Sequence, residues 1–221
     1  MPRTARASLG NWCYHVLNRG NGRAEVFHKE DDYAAFVALF EPACERLRMR
    51  IVGYCLMPNH FHLVLWPHGD GDLGRWMQWL MTAHVRRYHR HYASSGHVWQ
   101  GRFKAFPIQQ DEHFLTVLRY LERNPLRARL VQRAEDWTWS SLRQRLAGNL
   151  DLLSPSPVAL PSQWARLVNE PQTEAEVAAI LACIYRGKPY GSDRWTKLAA
   201  TTLGLQSTLR PHGRPRTTPK K

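Results

Sequence analysis

The sequence predicts an α+β protein in which one antiparallel sheet, ordered along the chain as a ferredoxin-like (RRM-like) βαββαβ plan, is backed by helices. Three observations lead there. An aromatic and β-branched run at residues 12–20 closes in a Gly-rich turn, and two apolar runs at 50–67 are split by Pro58-Asn59. Apolar residues also recur at helical spacing over 31–47, 73–92 and 111–124.

Taken in order, WCYHVLNRG (12–20) reads as the first strand, ending in Arg19-Gly20-Asn21-Gly22. In the following helix Tyr33, Phe36, Val37, Phe40, Cys44 and Leu47 share a face, and Asp31 and Asp32 suit its positive N-terminus. Pro42 removes a backbone donor, so a kink or break is expected near Glu41. Residues 50–67 form a hairpin turning at Pro58-Asn59, and 73–92 a long helix with Leu73, Trp76, Met77, Leu80 and His84 on one side. Gly96 and Gly101 bracket a loop, and KAFPIQQ (104–110) is a short strand that Pro107 confines to an edge or bulge. The helix at 111–124 stops before Pro125. Beyond residue 135 the pattern weakens to a linker at 154–162, a short helix at 174–185 and the Pro-rich basic tail RPHGRPRTTPKK. The expected division is a main domain at 10–145, a helical extension at 146–209 and a disordered tail at 210–221.

Thirty-one Lys and Arg against 18 Asp and Glu give a net charge of +13, which makes a polyanion the default partner. Cys13, Cys44, Cys55 and Cys183 are widely spaced without a CxxC pair, so reduced, buried thiols are expected rather than a zinc knuckle or disulfide framework. The absence of a membrane-length apolar run and of a signal-peptide core in MPRTARASLGNW leads to a cytoplasmic expectation. From Asp72 to Asp111 no acidic residue intervenes, while Arg75, Arg86, Arg87, Arg90, Arg102 and Lys104 alternate with Trp76, Trp79, Tyr88, Tyr92, Trp99 and Phe103. Cations that neutralise phosphate and rings that stack on unpaired bases suit single-stranded or hairpin DNA. The tail, with Arg214 and Arg216, adds further phosphate contacts.

His60 and His62 share one strand face, about 6.6 Å apart along the backbone, while Phe61 points to the opposite side. Such a pair can chelate a cation, although two ligands leave a metal site incomplete, and two polar residues on a solvent-facing phase is the plain alternative. Tyr120 and Asn124 lie one helical turn apart. On residues alone, a core tyrosine and a C-terminal cap before Pro125 explain them. His84, His89, His91 and His97 have no evident ligand set.

The motifs MPNHFHLVLWP, GHVWQGRFKA, RYLERNPLRARLV and WTWSS, in this order, resemble the single-tyrosine HUH transposases, and among them the REP-associated tyrosine transposase group. The stretch GSDRWTKLAATTLGLQSTLRPHGRPR is similar to the C-terminal extension of many such proteins. The resemblance implies that His60 and His62 ligate Mg²⁺ or Mn²⁺, that Asn124 is the third ligand and that Tyr120 is the nucleophile. It further implies cleavage and strand transfer of REP-type palindromic DNA through a 5′-phosphotyrosine, by a monomer rather than a dimer. Where many relatives read Tyr-Ile-His-Leu-Asn-Pro, this chain reads Tyr120-Leu121-Glu122-Arg123-Asn124-Pro125, a departure expected to bear on local DNA contacts. Tyr88 and Tyr92, a turn apart, are a second but poorer tyrosine centre. The competing readings are a non-catalytic RRM-like binding module, which lacks an RNP1-like strand, and a zinc hydrolase, which lacks a carboxylate or HExxH partner.

Overall fold

The computed structural model describes residues 8–210. Strands β1 (Cys13–Arg19), β2 (Met49–Met57), β3 (His60–Pro67) and β4 (Lys104–Ile108) form one sheet in the order β2-β3-β1-β4, each neighbouring pair antiparallel. The hairpin turns on Pro58 and Asn59 with Met57 opposite His60. β4 is an edge strand, as Pro107 requires.

Between β1 and β2 the chain forms α1 (Glu30–Val37) and α2 (Phe40–Arg46). The break therefore falls at Ala38-Leu39, earlier than expected from Pro42. Pro42 occupies the first turn of α2, where a backbone N–H has no intrahelical partner to lose. α3 (Asp72–Tyr92) follows the hairpin, and after β4 comes α4 (Glu112–Glu122), whose first turn is capped by the Asp111 carboxylate. α4 stops before Pro125, as expected, and Pro125 sits in the first turn of a further short helix, α5 (Asn124–Arg127), set off from α4 at Arg123.

Helices cover both faces of the sheet. Tyr14, Val16, Tyr54, Leu56, Phe61, Leu63 and Leu65 pack with Phe36, Phe40, Trp76, Met77 and Leu80 from α1–α3. The opposite face, with Leu17, Cys55, Val64, Phe106 and Ile108, packs against Phe114, Val117, Leu118 and Leu121 of α4. The phase that carries His60 and His62 is thus roofed by a helix rather than open to solvent. Cys13, Cys55 and Cys183 are buried, Cys44 is half-buried, and all four are free thiols.

The C-terminal part is more helical than its sequence pattern suggests: α6 (Ser141–Leu146), α7 (Trp164–Asn169), α8 (Glu174–Arg186) and α9 (Asp193–Thr202). Trp164 and Val168 of α7 and Ile180 and Ile184 of α8 enter the core under α4. Single bridges, Cys55 to Ser140 and Ile108 to Tyr190, lay chain along the outer edges of β2 and β4. Among the described residues no helix is long and apolar enough to cross a membrane.

Candidate active site

His60 opens β3 directly after the hairpin turn, and His62 follows two residues later opposite Leu17 of β1 and Cys55 of β2. Their rings stand 5.0 Å apart at 85°. His60 Nδ1 lies 2.6 Å from Asn59 Oδ1. An amide oxygen only accepts, so the ring proton sits on Nδ1 and the Nε2 lone pair is left bare. His62 Nδ1 meets His15 Nε2 at 2.9 Å. Burial lowers the His60 pKa to about 4, helped by the nearby charges of Arg19 and Arg127. Burial, the neighbouring histidines His15 and His60 and the same two arginines hold His62 well below its ordinary value. Both imidazoles are neutral at pH 7, the form that ligates metals.

α4 brings Tyr120 onto this face. Its ring stands perpendicular to that of His62, with centroids 6.0 Å apart. Asn124 is buried, and its Nδ2 donates to the carbonyls of Tyr120 and Leu121 at 3.1 and 3.4 Å, closing the end of α4. The capping function expected from sequence uses the amide nitrogen and leaves Oδ1 for another partner. That partner is Arg127, whose Nη2 donates to Asn124 Oδ1 at 2.5 Å and to Tyr120 Oη at 2.9 Å. Its guanidinium carbon lies 4.2 Å from the centre of the Tyr120 ring. Sequence reasoning passed over Arg127 because Pro125 was taken to end the helix. Continued past Pro125, the helical path brings residues i+7 from Tyr120 and i+3 from Asn124 to the same side.

The neutral imidazole nitrogens of His60 and His62 are donors of the kind a divalent ion accepts, and the Asn124 amide oxygen, which accepts from Arg127, keeps a second lone pair.

The family model described as "Transposase IS200 like" matches residues 8–124, more than half the chain, and spans the two histidines, Tyr120 and Asn124. The chain belongs to the IS200-like transposases. A Haemophilus influenzae protein bearing the name REP-associated tyrosine transposase is 27% identical over 120 residues, 49% of this chain and 68% of that one. The solved structure of a REP-associated tyrosine transposase bound to a REP hairpin superposes with a TM-score of 0.54, covering 73% of this chain and 93% of that one at 19% identity, which establishes a shared fold.

Other groups of this HUH-family transposase fall into place around that centre. Asp111, Glu112 and His113 bring three ligand atoms within 4.8 Å and could hold a divalent ion. They lie at the opposite end of α4, roughly 13 Å of helix rise from Tyr120. Asp111 Oδ1 there already accepts from the His113 backbone N–H. Glu122, expected near DNA, is instead fully buried and accepts from Ser141 Oγ and Trp164 Nε1, both at 2.6 Å, and from Arg145 Nε at 3.2 Å. Arg123 likewise turns inward, donating to the carbonyls of Val168 and Asn169.

Arg86, Arg90, Arg102 and Lys104 are exposed and Arg87 is half-exposed. Arg86 and Arg102, with Arg75, rim a groove of about 900 Å³ floored by Met77, Met81, Val85 and Val98. Trp99 also lines this groove but is 5% exposed, its indole N–H donating to His84 Nδ1, so it shapes the floor and offers no free stacking face. Tyr92 Oη donates to Asp32 at 2.6 Å and Tyr88 Oη bonds His28, which supports a packing role for both. His89 is engaged with Ser94 and Gly96. Arg214 and Arg216 lie outside the described residues.

Proposed function

We propose that this transposase cleaves single-stranded DNA beside REP-type hairpins and transfers the cut strand through a 5′-phosphotyrosine on Tyr120. The observation that carries this reading is the perpendicular placement of the Tyr120 ring 6.0 Å from His62, beside two imidazoles kept neutral by burial. Tyr120 Oη attacks phosphorus, the P–O3′ bond breaks, and the phenol proton ends on the departing 3′ oxygen. Attack of a 3′-hydroxyl on the phosphotyrosine reverses the balance and rejoins DNA without an external energy source.

His60, His62 and Asn124 would hold Mg²⁺ or Mn²⁺, with imidazole softness favouring Mn²⁺. When bound, the ion polarises the scissile phosphate and stabilises charge on its oxygens. The nitrogens of His60 and His62 and the Asn124 amide are positioned by the protein itself, through Asn59, His15 and the end of α4.

The strand order β2-β3-β1-β4 supports a ferredoxin-like frame. An RRM binds RNA on an open sheet face, and here helices cover both faces, which favours the enzyme over the binding-module reading. Arg86, Arg87, Arg90, Arg102 and Lys104 supply phosphate contacts to hairpin or single strand, and the molecule acts as a cytoplasmic monomer. Residues 10–145 carry the chemistry and 146–209 brace it. Incubation of the protein with a 5′-labelled and a 3′-labelled single-stranded REP oligonucleotide, with Mn²⁺ or EDTA, tests the reading. A Mn²⁺-dependent, SDS-stable adduct carrying the 3′-side fragment is expected, and its persistence in Tyr120→Phe would overturn the assignment.

A further inference from the structure

We infer that Arg127 is a catalytic residue of this transposase, fixing Tyr120 Oη with one guanidinium nitrogen and offering its remaining N–H groups to a non-bridging oxygen of the scissile phosphate. The inference rests on the tyrosine-cleavage reading above and adds a group to it that neither the HUH motif nor the metal ligands include.

The geometry is specific. Both contacts that Arg127 makes in the centre come from the same nitrogen, Nη2, at 2.9 Å to Tyr120 Oη and 2.5 Å to Asn124 Oδ1. An arginine carries five N–H donors in one plane, and its charge strengthens each bond that one of them makes to a phosphate oxygen. Nη2 spends its two protons on the nucleophile and the amide. Nε–H and the Nη1 pair have no partner among the described residues, and Arg127 is exposed. Because Nη2 belongs to both two-donor edges, what remains is single donors, Nε–H on one side and the Nη1 protons on the other, and on this exposed side chain they can meet one oxygen of a phosphate that approaches Tyr120 Oη. The guanidinium carbon also stacks 4.2 Å from the centre of the Tyr120 ring, which holds the guanidinium against the nucleophile's side chain. α5 makes this possible: Pro125 in its first turn lets the helical path continue after Asn124, and the turn it adds carries Arg127 back over Tyr120.

The charge on Arg127 would act on a phosphate oxygen that gains negative character as Oη attacks, a task distinct from holding the protein together. A substrate with a methylphosphonate at the scissile position separates the two, because it lacks the charged oxygen. With the ordinary phosphodiester, Arg127→Gln should form adduct about 100-fold more slowly than the parent. With the methylphosphonate, parent and variant should differ by less than about 3-fold. Arg127→Lys keeps the charge without the planar edge and should fall between them.

The same comparison can be read without cleavage. In the Tyr120→Phe background, Arg127→Gln should weaken binding of the phosphodiester oligonucleotide about 10-fold and of the methylphosphonate less than about 2-fold. Equal penalties on both substrates, or a loss of Mn²⁺ binding by EPR that parallels the loss of cleavage, would overturn the inference by reducing Arg127 to a scaffold for Asn124. Absence of adduct in the parent protein would instead sink the tyrosine-cleavage reading. An adduct that forms at the parental rate in Arg127→Gln would remove Arg127 alone.

Discussion

The imidazoles of His15 and His62 are 10° from parallel with centroids 5.0 Å apart, and His15 Nε2 is 2.9 Å from His62 Nδ1. One ring must donate and the other accept. Only when His62 Nδ1–H donates is the His62 Nε2 lone pair bare for a metal, and the His15 proton then sits on Nδ1, a buried atom with no partner among the described residues. Removal of the acceptor by His15→Phe, close to isosteric, should lower Mn²⁺ affinity by about 10–100-fold. His15→Gln, which retains an acceptor, should lose less. EPR titration of free Mn²⁺ measures both, and parental affinity in the phenylalanine variant would refute the link.

His84 provides a pH-dependence away from the metal centre. Burial, reinforced by the charge of Arg87 and opposed by Asp32, lowers its pKa to about 4, and it accepts the Trp99 indole N–H. The folded pKa lies below the unfolded value, so the unfolded chain binds the extra proton first as pH falls from about 6.5 to about 4. Stability is complete above that window and declines through it, by on the order of 3 kcal/mol from this group. Urea denaturation at stepped pH should show that slope in the parent protein. In His84→Gln, which keeps an acceptor for Trp99, it should be flatter, and an unchanged slope would show that His84 does not carry it.

Glu122 is a buried carboxylate that receives three side-chain donors, from Ser141, Arg145 and Trp164. Its truncation to alanine leaves the Arg145 charge and two further donors unpaired beneath α4, at a cost of about 3–5 kcal/mol. Glu122→Gln preserves shape and part of the bonding and should cost less. A loss under about 1 kcal/mol in the alanine variant, measured by urea denaturation, would contradict this account.

Arg86 is exposed at the rim of the groove beside α3. If it meets a phosphate, Arg86→Gln should reduce the slope of log K against log salt by about 0.7 for single-stranded DNA. Fluorescence anisotropy over a salt series gives the slope directly, and a slope equal to the parent's would place Arg86 outside the DNA path.

Much of the fold was legible because its signals are local. The Pro58-Asn59 hairpin, the long helix ending at Tyr92 and the edge position forced by Pro107 each depend on residues within one element. The candidate site residues were legible as a pair on a strand and a pair on a helix; resemblance to the HUH enzymes supplied the link between them, and α4 packing places Tyr120 beside His62. What escaped depends on distant partners. Glu122 reads as a surface acid until Trp164, 42 residues away, is seen donating to it. Helices do end ahead of Pro42 and Pro125, but each proline itself stands in the first turn of the next helix, where the lost donor costs nothing. α7 is only six residues long and gains its stability from docking, so it left no periodicity to read, whereas the amphipathic face of α9 was present and went unread.

The two bridges along the sheet margins have a further consequence. At one margin Leu56 N–H is taken by the Trp139 carbonyl. At the other, Tyr190 accepts from Gln109 and donates to the Pro107 carbonyl. An unpaired strand edge is a template on which a foreign strand, or the same strand of another molecule, can grow. By laying its own later segments along β2 and β4, the chain spends those templates internally, and its C-terminal part serves as a guard against edge-to-edge aggregation as well as a brace for α4.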